Sequence, residues 1–411
     1  MTLFQTVAIV LCLSAAASYV NYRYLHLPAT IGLMVTSLSF SLVIVGLAET
    51  GFINLAGVNR FVKNIDFNQL LLHGMLAFFL FAGAMHVNFA ELKRQKWPVS
   101  IMATVGVFFA TFITGGLFWL VTFSLNLHVP LIHALLFGAL VSPTDPISVL
   151  GIMKRMKTPK PLEVVITAES LFNDGVGVVV FLTLLQIVMN HSQPTYVEVS
   201  AFLVEEAVGG AVLGYAMGML VYFLMRKVDD YQIEILLTLA LAAGGYVLAE
   251  LWHVSAPIAI VVSGLVIGNR GPKMAIPAAT LERLDIFWEL VDDILNAVLF
   301  MLIGLEVISL SPNRIFLLVG LFAIVVVLIG RFLSIVLSAG IVRFQRNFTR
   351  GEIVVMTWAG LRGGLSMAMA LSLPDFPDKE IILSATYMVV VFSVLVQGLT
   401  LSGVIRRALF D

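Results

Sequence analysis

The chain has 411 residues, of which 60% are hydrophobic and only 12% are charged, and its mean hydropathy is +1.01. Soluble domains carry roughly 25% charged residues, so this chain has too little polar surface to cover itself in water. A formal net charge of −1 and a single cysteine, Cys12, give no indication of a nucleic-acid partner, a disulfide framework, or a zinc or haem site. The composition therefore predicts a polytopic membrane protein without a cofactor.

A helix needs about 20 mostly apolar residues to cross a bilayer, and charged or Pro/Gly-rich breaks divide the chain into such segments. The first has no basic region before it and is followed at once by another, so we interpret it as a retained span rather than a signal peptide. We predict an all-α fold of about 13 spans in one membrane domain, with no cytosolic regulatory domain. Their approximate limits are 2–22, 28–48, 67–89, 98–122, 130–153, 162–189, 199–225, 231–251, 255–269, 284–306, 315–341, 352–373 and 380–405.

The loops between these segments differ strongly in basic charge. Alternate loops, starting after the first segment and including the C-terminus, hold eighteen Lys and Arg residues, whereas the other loops hold four. Lys and Arg are enriched in cytoplasmic loops, so the pattern predicts an external N-terminus and a cytoplasmic C-terminus in the cell membrane.

The fifth segment contains the run Ser142 to Pro146, with Pro143 and Pro146 three residues apart. Two prolines remove two backbone donors and disfavour helical geometry in the residues before them, so the helix is expected to break at mid-membrane. Irregular backbone at that depth is tolerated where it lines a cavity. Freed carbonyls near Thr144 can then face a cation, and Asp145 can cap the positive end of a half-helix; a simple proline kink is the alternative.

The sixth segment carries two carboxylates within an apolar run, Glu169 and Asp174. Ser170 and Asp174 share a helix face, and together they offer the hard oxygen ligands that suit an alkali cation. Glu169 lies about 140° away around the helix axis, so it is the better candidate for an ion pair with Arg331, a basic residue inside segment 11. Asn173 shares the face of Glu169. The alternative is that these groups only hydrogen-bond neighbouring spans together.

The twelfth segment is interrupted by the run Gly360 to Gly364, which contains Arg362. Interruptions at corresponding positions of two halves are typical of inverted-repeat transporters with a site at the membrane midplane. Segments 5 and 12 are offset by seven, and this odd offset inverts topology. We therefore predict repeats of about 1–190 and 231–408 joined by a helix at about 199–226, with Arg362 neutralising the negative ends of the two broken helices. Glycines used only for tight helix packing are the alternative.

Other polar groups give weaker signals. Asp292, Asp293 and Asn296, near the start of segment 10, are assigned an interfacial role in preference to a ligand role. His73, His86 and His133 lie within spans at no metal-ligand spacing, so packing or hydrogen bonding is expected of them.

Three motifs, Ser142–Pro146, Glu169–Gly175 and Gly360–Gly364, together resemble the sodium/proton exchanger branch of the monovalent cation:proton antiporter superfamily. More narrowly, the chain is similar to prokaryotic NhaP-type antiporters, and the run Leu295 to Glu306 shares that similarity. The resemblance covers nearly the whole chain. One departure is the run Phe81 to Ala84, which lacks an acidic residue that some relatives have in span 3.

The resemblance implies that Asp174 binds the cation or the proton, with help from Ser170, Asn173 and the backbone of Thr144. It also implies an alkali cation as the only metal, a homodimer, and a moving six-helix core in which two broken helices cross. An Asn before the key Asp, as at Asn173, is typical of electroneutral exchange in this branch. The expected activity is Na⁺/H⁺ exchange by alternating access, with Li⁺ accepted and K⁺ left open.

Three other functions are alternatives to exchange. An ion channel needs a continuous pathway, usually built around a symmetry axis, whereas internal inverted repeats favour a transporter. A transport-inactive sensor normally has a signalling tail, and the sequence prediction includes no such tail. An enzyme is the least favoured, because the sequence has no nucleophile motif, metal cluster or nucleotide-binding loop.

Overall fold

The computed structural model of the chain describes most of the sequence as helix. The described residues are 3–50, 74–145, 147–190, 196–228, 230–270, 278–308 and 314–410. Within these ranges all of the regular secondary structure is helix, without strands. Parts of the predicted spans fall outside them, namely residue 2 of the first span, residues 67–73 of the third, which include His73, and Pro146 in the fifth.

The first half of the chain contributes nine helices from the described residues. They are α1 (Leu3–Val20), α2 (Ala29–Glu49), α3 (Leu76–Met85), α4 (Phe89–Arg94), α5 (Lys96–Ala103), α6 (Val105–Ser124), α7 (Leu131–Leu140), α8 (Ile147–Arg155) and α9 (Lys160–Asn190). A π-helical turn, Asn21–Leu25, follows α1.

The second half contributes nine more within the same described part. They are α10 (Tyr196–Met225), α11 (Tyr231–Leu251), α12 (Ala256–Arg270), α13 (Ala278–Glu306), α14 (Arg314–Val342), α15 (Arg350–Trp358), α16 (Gly364–Leu371), α17 (Lys379–Phe392) and α18 (Gly398–Leu409). A π-helical segment, Ser393–Gln397, joins α17 to α18.

The all-helical, multi-span prediction is confirmed. Eight helical stretches in the described chain are long and apolar enough to cross a membrane, and shorter apolar helices occur at Leu76–Met85, Leu131–Leu140 and Ala256–Asn269. A described helix falls within each of the thirteen predicted segments. The fifth and twelfth segments are each divided in two, into α7 and α8 and into α15 and α16, as their prolines and glycines predict.

Local signals in the sequence explain where several helices begin. Thr349 and Glu352 form a reciprocal capping box at the start of α15, in which each side chain accepts from the other residue's backbone N–H. The Asn88 side chain caps α4 in the same way, by accepting from the first turn. Pro130 stands directly before α7, where a missing N–H costs nothing.

The helices pack as two groups. In the first group, α12 packs between α10 and α3, and α13 packs on α1 and α2. In the second group, α14 packs between α6 and α17, and α9 packs on α5 and α7. The two broken helices belong to the second group, and α16 contacts both α7 and α13. The interrupted backbone therefore faces the boundary between the groups.

Candidate functional site

The two interrupted helices meet at their breaks. The backbone N–H of Asp145, between α7 and α8, donates to the carbonyl of Leu361, between α15 and α16, over 2.8 Å. A Cβ atom at Gly363 would lie only 2.7 Å from the Cβ atom of Asp145, so glycine is required for this close approach. The breaks predicted separately from prolines and glycines thus form one crossing point.

Arg362 lies inside this crossing and is 1% exposed. Its Nη1 atom donates to the carbonyl oxygens of Ser142 and Pro143, which follow the C-terminal end of α7. The C-terminus of a helix carries partial negative charge, so a buried guanidinium is stabilised there. Two of the carbonyls freed by the break therefore accept from Arg362, and the expectation that freed carbonyls near Thr144 face a cation stays a prediction.

A cavity opens beside the crossing. Five polar residues line it: Thr144, Asp145, Asp174, Asn296 and Ser366. The rest of its wall is mainly apolar and includes residues of α3, α9 and α13, namely Leu76, Phe79, Leu80, Leu171 and Leu299. A few polar groups in a mostly apolar pocket are typical of a small-ligand site.

Asp174 lies in the middle of the long helix α9, where it is half-buried and reaches the cavity. Asp145 reaches the same cavity from the first break, and its side chain lies against Gly363 at the start of α16. Helix N-termini carry partial positive charge, so a carboxylate is favoured at this position. The cavity therefore contains two carboxylates in different electrostatic surroundings.

Thr144 is held by a buried network from α9. Its Oγ1 atom lies 2.8 Å from the hydroxyl of Ser170 and accepts from Nδ2 of Asn173 over 2.9 Å, and its N–H donates to Oδ1 of Asn173 over 3.2 Å. Ser170 and Asn173 are 1% and 0% exposed and do not line the cavity. In this geometry they position the non-helical backbone between α7 and α8, while Asp174 and Thr144 face the cavity.

The second carboxylate of α9 turns away from the cavity. Both oxygens of Glu169 accept from Arg331 of α14, over 2.8 Å each, and one also accepts from Asn173 over 2.9 Å. Glu169 and Arg331 are 1% and 6% exposed. A bidentate pair of this kind neutralises the carboxylate and links the two halves of the chain.

Two lining residues were missed by the sequence analysis. Asn296 is 6% exposed at the cavity, so its assignment to an interfacial role was wrong. Ser366 is 0% exposed and follows directly on the glycine motif, where its position was the available signal. The prediction is confirmed for two of the three histidines, because His86 hydrogen-bonds the carbonyl of Ala82 and His133 pairs with Asp378, while His73 lies outside the described residues.

Comparison with known proteins assigns the chain to a family. A family model described as sodium/hydrogen exchanger, transmembrane, matches residues 8–407. The chain belongs to the sodium/hydrogen exchanger family. It is therefore a multi-pass membrane protein of an antiporter family, and not an enzyme.

Relatives of this exchanger match over nearly its whole length. It is 45% identical over 410 residues to the Na⁺/H⁺ antiporter NhaP of Pseudomonas aeruginosa, covering 98% of this chain and 97% of that protein. It is 34% identical to the Na⁺/H⁺ antiporter NhaH of Halobacillus dabanensis, with 98% and 97% covered. The solved structure of the sodium proton antiporter MjNhaP1 from Methanocaldococcus jannaschii at pH 8 is 19% identical, covers 100% of both chains and has a TM-score of 0.78. The antiporter fold is thereby shown.

Proposed function

We propose that this exchanger is a secondary active Na⁺/H⁺ antiporter in which the cation and the proton compete for Asp174. The observation that carries the proposal is the position of Asp174 in the cavity at the helix crossing, among mainly apolar walls. The names of its relatives, Na⁺/H⁺ antiporters that match along nearly the whole chain, support the choice of ions. Li⁺ is proposed as a second substrate because its charge and its preference for oxygen ligands are the same.

The charges around the cavity support electroneutral exchange. Glu169 is neutralised by Arg331, and Asp145 faces the positive end of α16. Neither carboxylate therefore needs to bind or release a proton or a cation during the cycle. Asp174 is then the group that carries one Na⁺ in one direction and one H⁺ in the other. Its loaded forms have the same net charge, so a one-for-one cycle moves no net charge.

The remaining site residues take supporting roles in this proposal. Ser170 and Asn173 hold Thr144 at the cavity, where its oxygen atoms contact the cation beside Asp174. Arg362 compensates the C-terminal end of α7.

The resemblance to the family supports three further elements of the proposal. We propose a homodimer in the cell membrane, with the N-terminus outside and the C-terminus in the cytoplasm. We also propose two inverted repeats, about 1–190 and 231–408, joined by α10. The paired breaks at Asp145 and Gly363 support this repeat assignment, since each repeat supplies one of them.

Proteoliposomes with an internal pH dye test the function directly. Wild type, Asp174→Asn and Asp174→Ala are compared after addition of Na⁺, Li⁺ or K⁺, with and without a clamped membrane potential. Asp293→Asn is the matched control, because Asp293 is an exposed carboxylate of α13 that does not line the cavity.

Proton movement driven by Na⁺, abolished in both Asp174 variants, retained in the control and insensitive to the potential is the expected result. Flux that follows the potential would contradict electroneutrality, since one charge senses about 2.3 kcal/mol per 100 mV. Full exchange in the Asp174 variants would contradict the role of that carboxylate. Cation flux without counter-moving protons would replace the antiporter with a channel.

A further inference from the structure

The hydroxyl of Ser366 has no role in the exchange mechanism proposed above. Ser366 is the third residue of α16, it is 0% exposed, and it lines the same cavity as Asp174. Its Oγ atom has no hydrogen-bond partner among the described residues. A buried hydroxyl without a partner is destabilising, and native proteins rarely leave one in that condition.

Five further buried hydroxyls also have no partner among the described residues, those of Ser41, Thr111, Ser338, Thr386 and Tyr387, but none of them lines the cavity. Several other buried hydroxyls in these helices are satisfied by their own helix. Ser14, Thr183 and Ser263 each donate to a carbonyl of the preceding helical turn, over 2.8, 2.8 and 2.9 Å. Ser366 has no such turn before it, because the preceding residues up to Gly363 belong to the break. The interruption of the helix thus leaves this hydroxyl available at the cavity.

Oxygen ligands are scarce in the cavity wall. The hydroxyl of Thr144 is already shared between Ser170 and Asn173, so only part of its acceptor capacity remains. Alkali cations, as hard ions, take oxygen ligands, and the neighbouring side chains are mainly aliphatic or aromatic. A hydroxyl without a hydrogen-bond partner in this wall is therefore available as an oxygen ligand for a cation.

We propose that the Ser366 hydroxyl is a ligand of the transported cation, supplied by the second broken helix. The cation is then held between the two halves of the chain, by Asp174 and Thr144 from the first and by Ser366 from the second. A hydroxyl has lone pairs for a cation and a proton that it can donate to a carboxyl oxygen. It can therefore also contact Asp174 when that carboxyl group is protonated. This inference rests on the proposed exchange function.

The test compares Ser366→Ala with wild type in the Na⁺-driven proteoliposome assay. Removing one oxygen ligand is expected to raise the half-saturating Na⁺ concentration about tenfold, or about 1.4 kcal/mol, with the maximal rate within about twofold of wild type. Because Na⁺ and H⁺ compete, tenfold weaker Na⁺ binding moves the acidic limb of the pH profile at fixed Na⁺ by up to about one unit to higher pH. A purely structural role does not produce this shift.

Ser372→Ala is the matched control. Ser372 ends the same half-helix, but its hydroxyl donates to the carbonyl of Met369 over 2.8 Å and does not line the cavity. Melting temperatures of all variants are measured in the same detergent. If Ser366→Ala is unstable, Ser366→Cys keeps the volume and replaces the oxygen by sulfur, a poor ligand for an alkali cation, so the same shift is expected.

The outcomes separate this inference from the function it rests on. An unchanged Na⁺ dependence and pH profile in a stable Ser366 variant, with wild type active and Asp174→Asn inactive, overturns the ligand role alone. Absence of Na⁺-driven proton movement in wild type overturns the exchange function as well. A tenfold shift in both Ser366→Ala and Ser372→Ala also overturns the inference, since it would show a general effect of altering α16.

Discussion

Breaking the ion pair between Glu169 and Arg331 has a cost that follows from its geometry. Both guanidinium Nη atoms lie 2.8 Å from the two carboxylate oxygens, at 1% and 6% exposure. Glu169→Gln leaves the arginine charge buried without its partner, which typically costs about 3–5 kcal/mol. An unfolding entropy of about 2.1 cal/mol/K per residue makes each kcal/mol worth roughly 1 °C in the melting temperature of a 411-residue chain, so we expect a decrease of about 3–6 °C.

The assay is thermal unfolding of the purified protein, followed by intrinsic fluorescence in one detergent at one pH. The double variant Glu169→Leu with Arg331→Met removes both charges, and apolar replacement of a buried pair is often neutral, so it should recover most of the loss. Lys379→Met is the control, because the 2.9 Å pair of Lys379 with Asp375 lies on an exposed turn and should contribute nothing measurable.

Two results would refute this reasoning. The first is a Glu169→Gln variant that melts within about 1 °C of wild type, since that shift corresponds to about 1 kcal/mol in a chain of this length. The second is a double variant no more stable than the single one, which would show that the loss arises from altered packing rather than from an uncompensated charge.

Other predictions follow from close contacts. Gly363→Ala places a methyl group 2.7 Å from the Cβ atom of Asp145, so we expect about 1–3 kcal/mol of destabilisation and slower exchange, measured by melting and by dye-monitored flux. Gly46→Ala, where the added carbon meets nothing within 4 Å, should be neutral or slightly stabilising in the same melts. His133→Ala removes the 2.6 Å contact with Asp378 and should cost about 1.5–3 kcal/mol while exchange persists, because neither residue lines the cavity; lost exchange with unchanged melting would contradict this.

The architecture could be predicted because it depends on local composition. Apolar length sets the spans, and proline or glycine sets the two breaks, so both were placed within a few residues. The different directions of Glu169 and Asp174 followed from the 100° step of the helix, and the structure shows them facing Arg331 and the cavity.

The rest of the site depends on tertiary packing. The rotation of α13 about its axis places Asn296 at the cavity, and no local signal sets that rotation. Arg362 was expected to neutralise helix ends, but only the crossing shows that it occupies the carbonyls of Ser142 and Pro143. The π-helical segment Ser393–Gln397 and the interruption at Thr104 also lacked a proline to predict them.

Polar contacts join the two halves of the chain on one side of the cavity. Arg346, between α14 and α15, donates to the side chain of Gln95 and the carbonyl of Pro161 over 3.1 Å each, and pairs with Glu352 over 2.6 Å. It therefore connects the starts of α5 and α9 to α15. All of these elements belong to the helix group that contains the broken helices.

Such contacts occur at three levels of that group, and each joins an early element to a late one. His133 of α7 pairs with Asp378 before α17, Glu169 pairs with Arg331 inside the bundle, and Arg346 lies at the opposite ends of the helices. Directional, partly buried polar contacts resist sliding of these helices past one another. The cavity wall facing them, from α3 and α13, is mainly apolar, and apolar contacts do not require a fixed direction. Access to Asp174 is therefore expected to alternate by movement of the whole bundle against that apolar wall, with the crossing at Asp145 carried along intact.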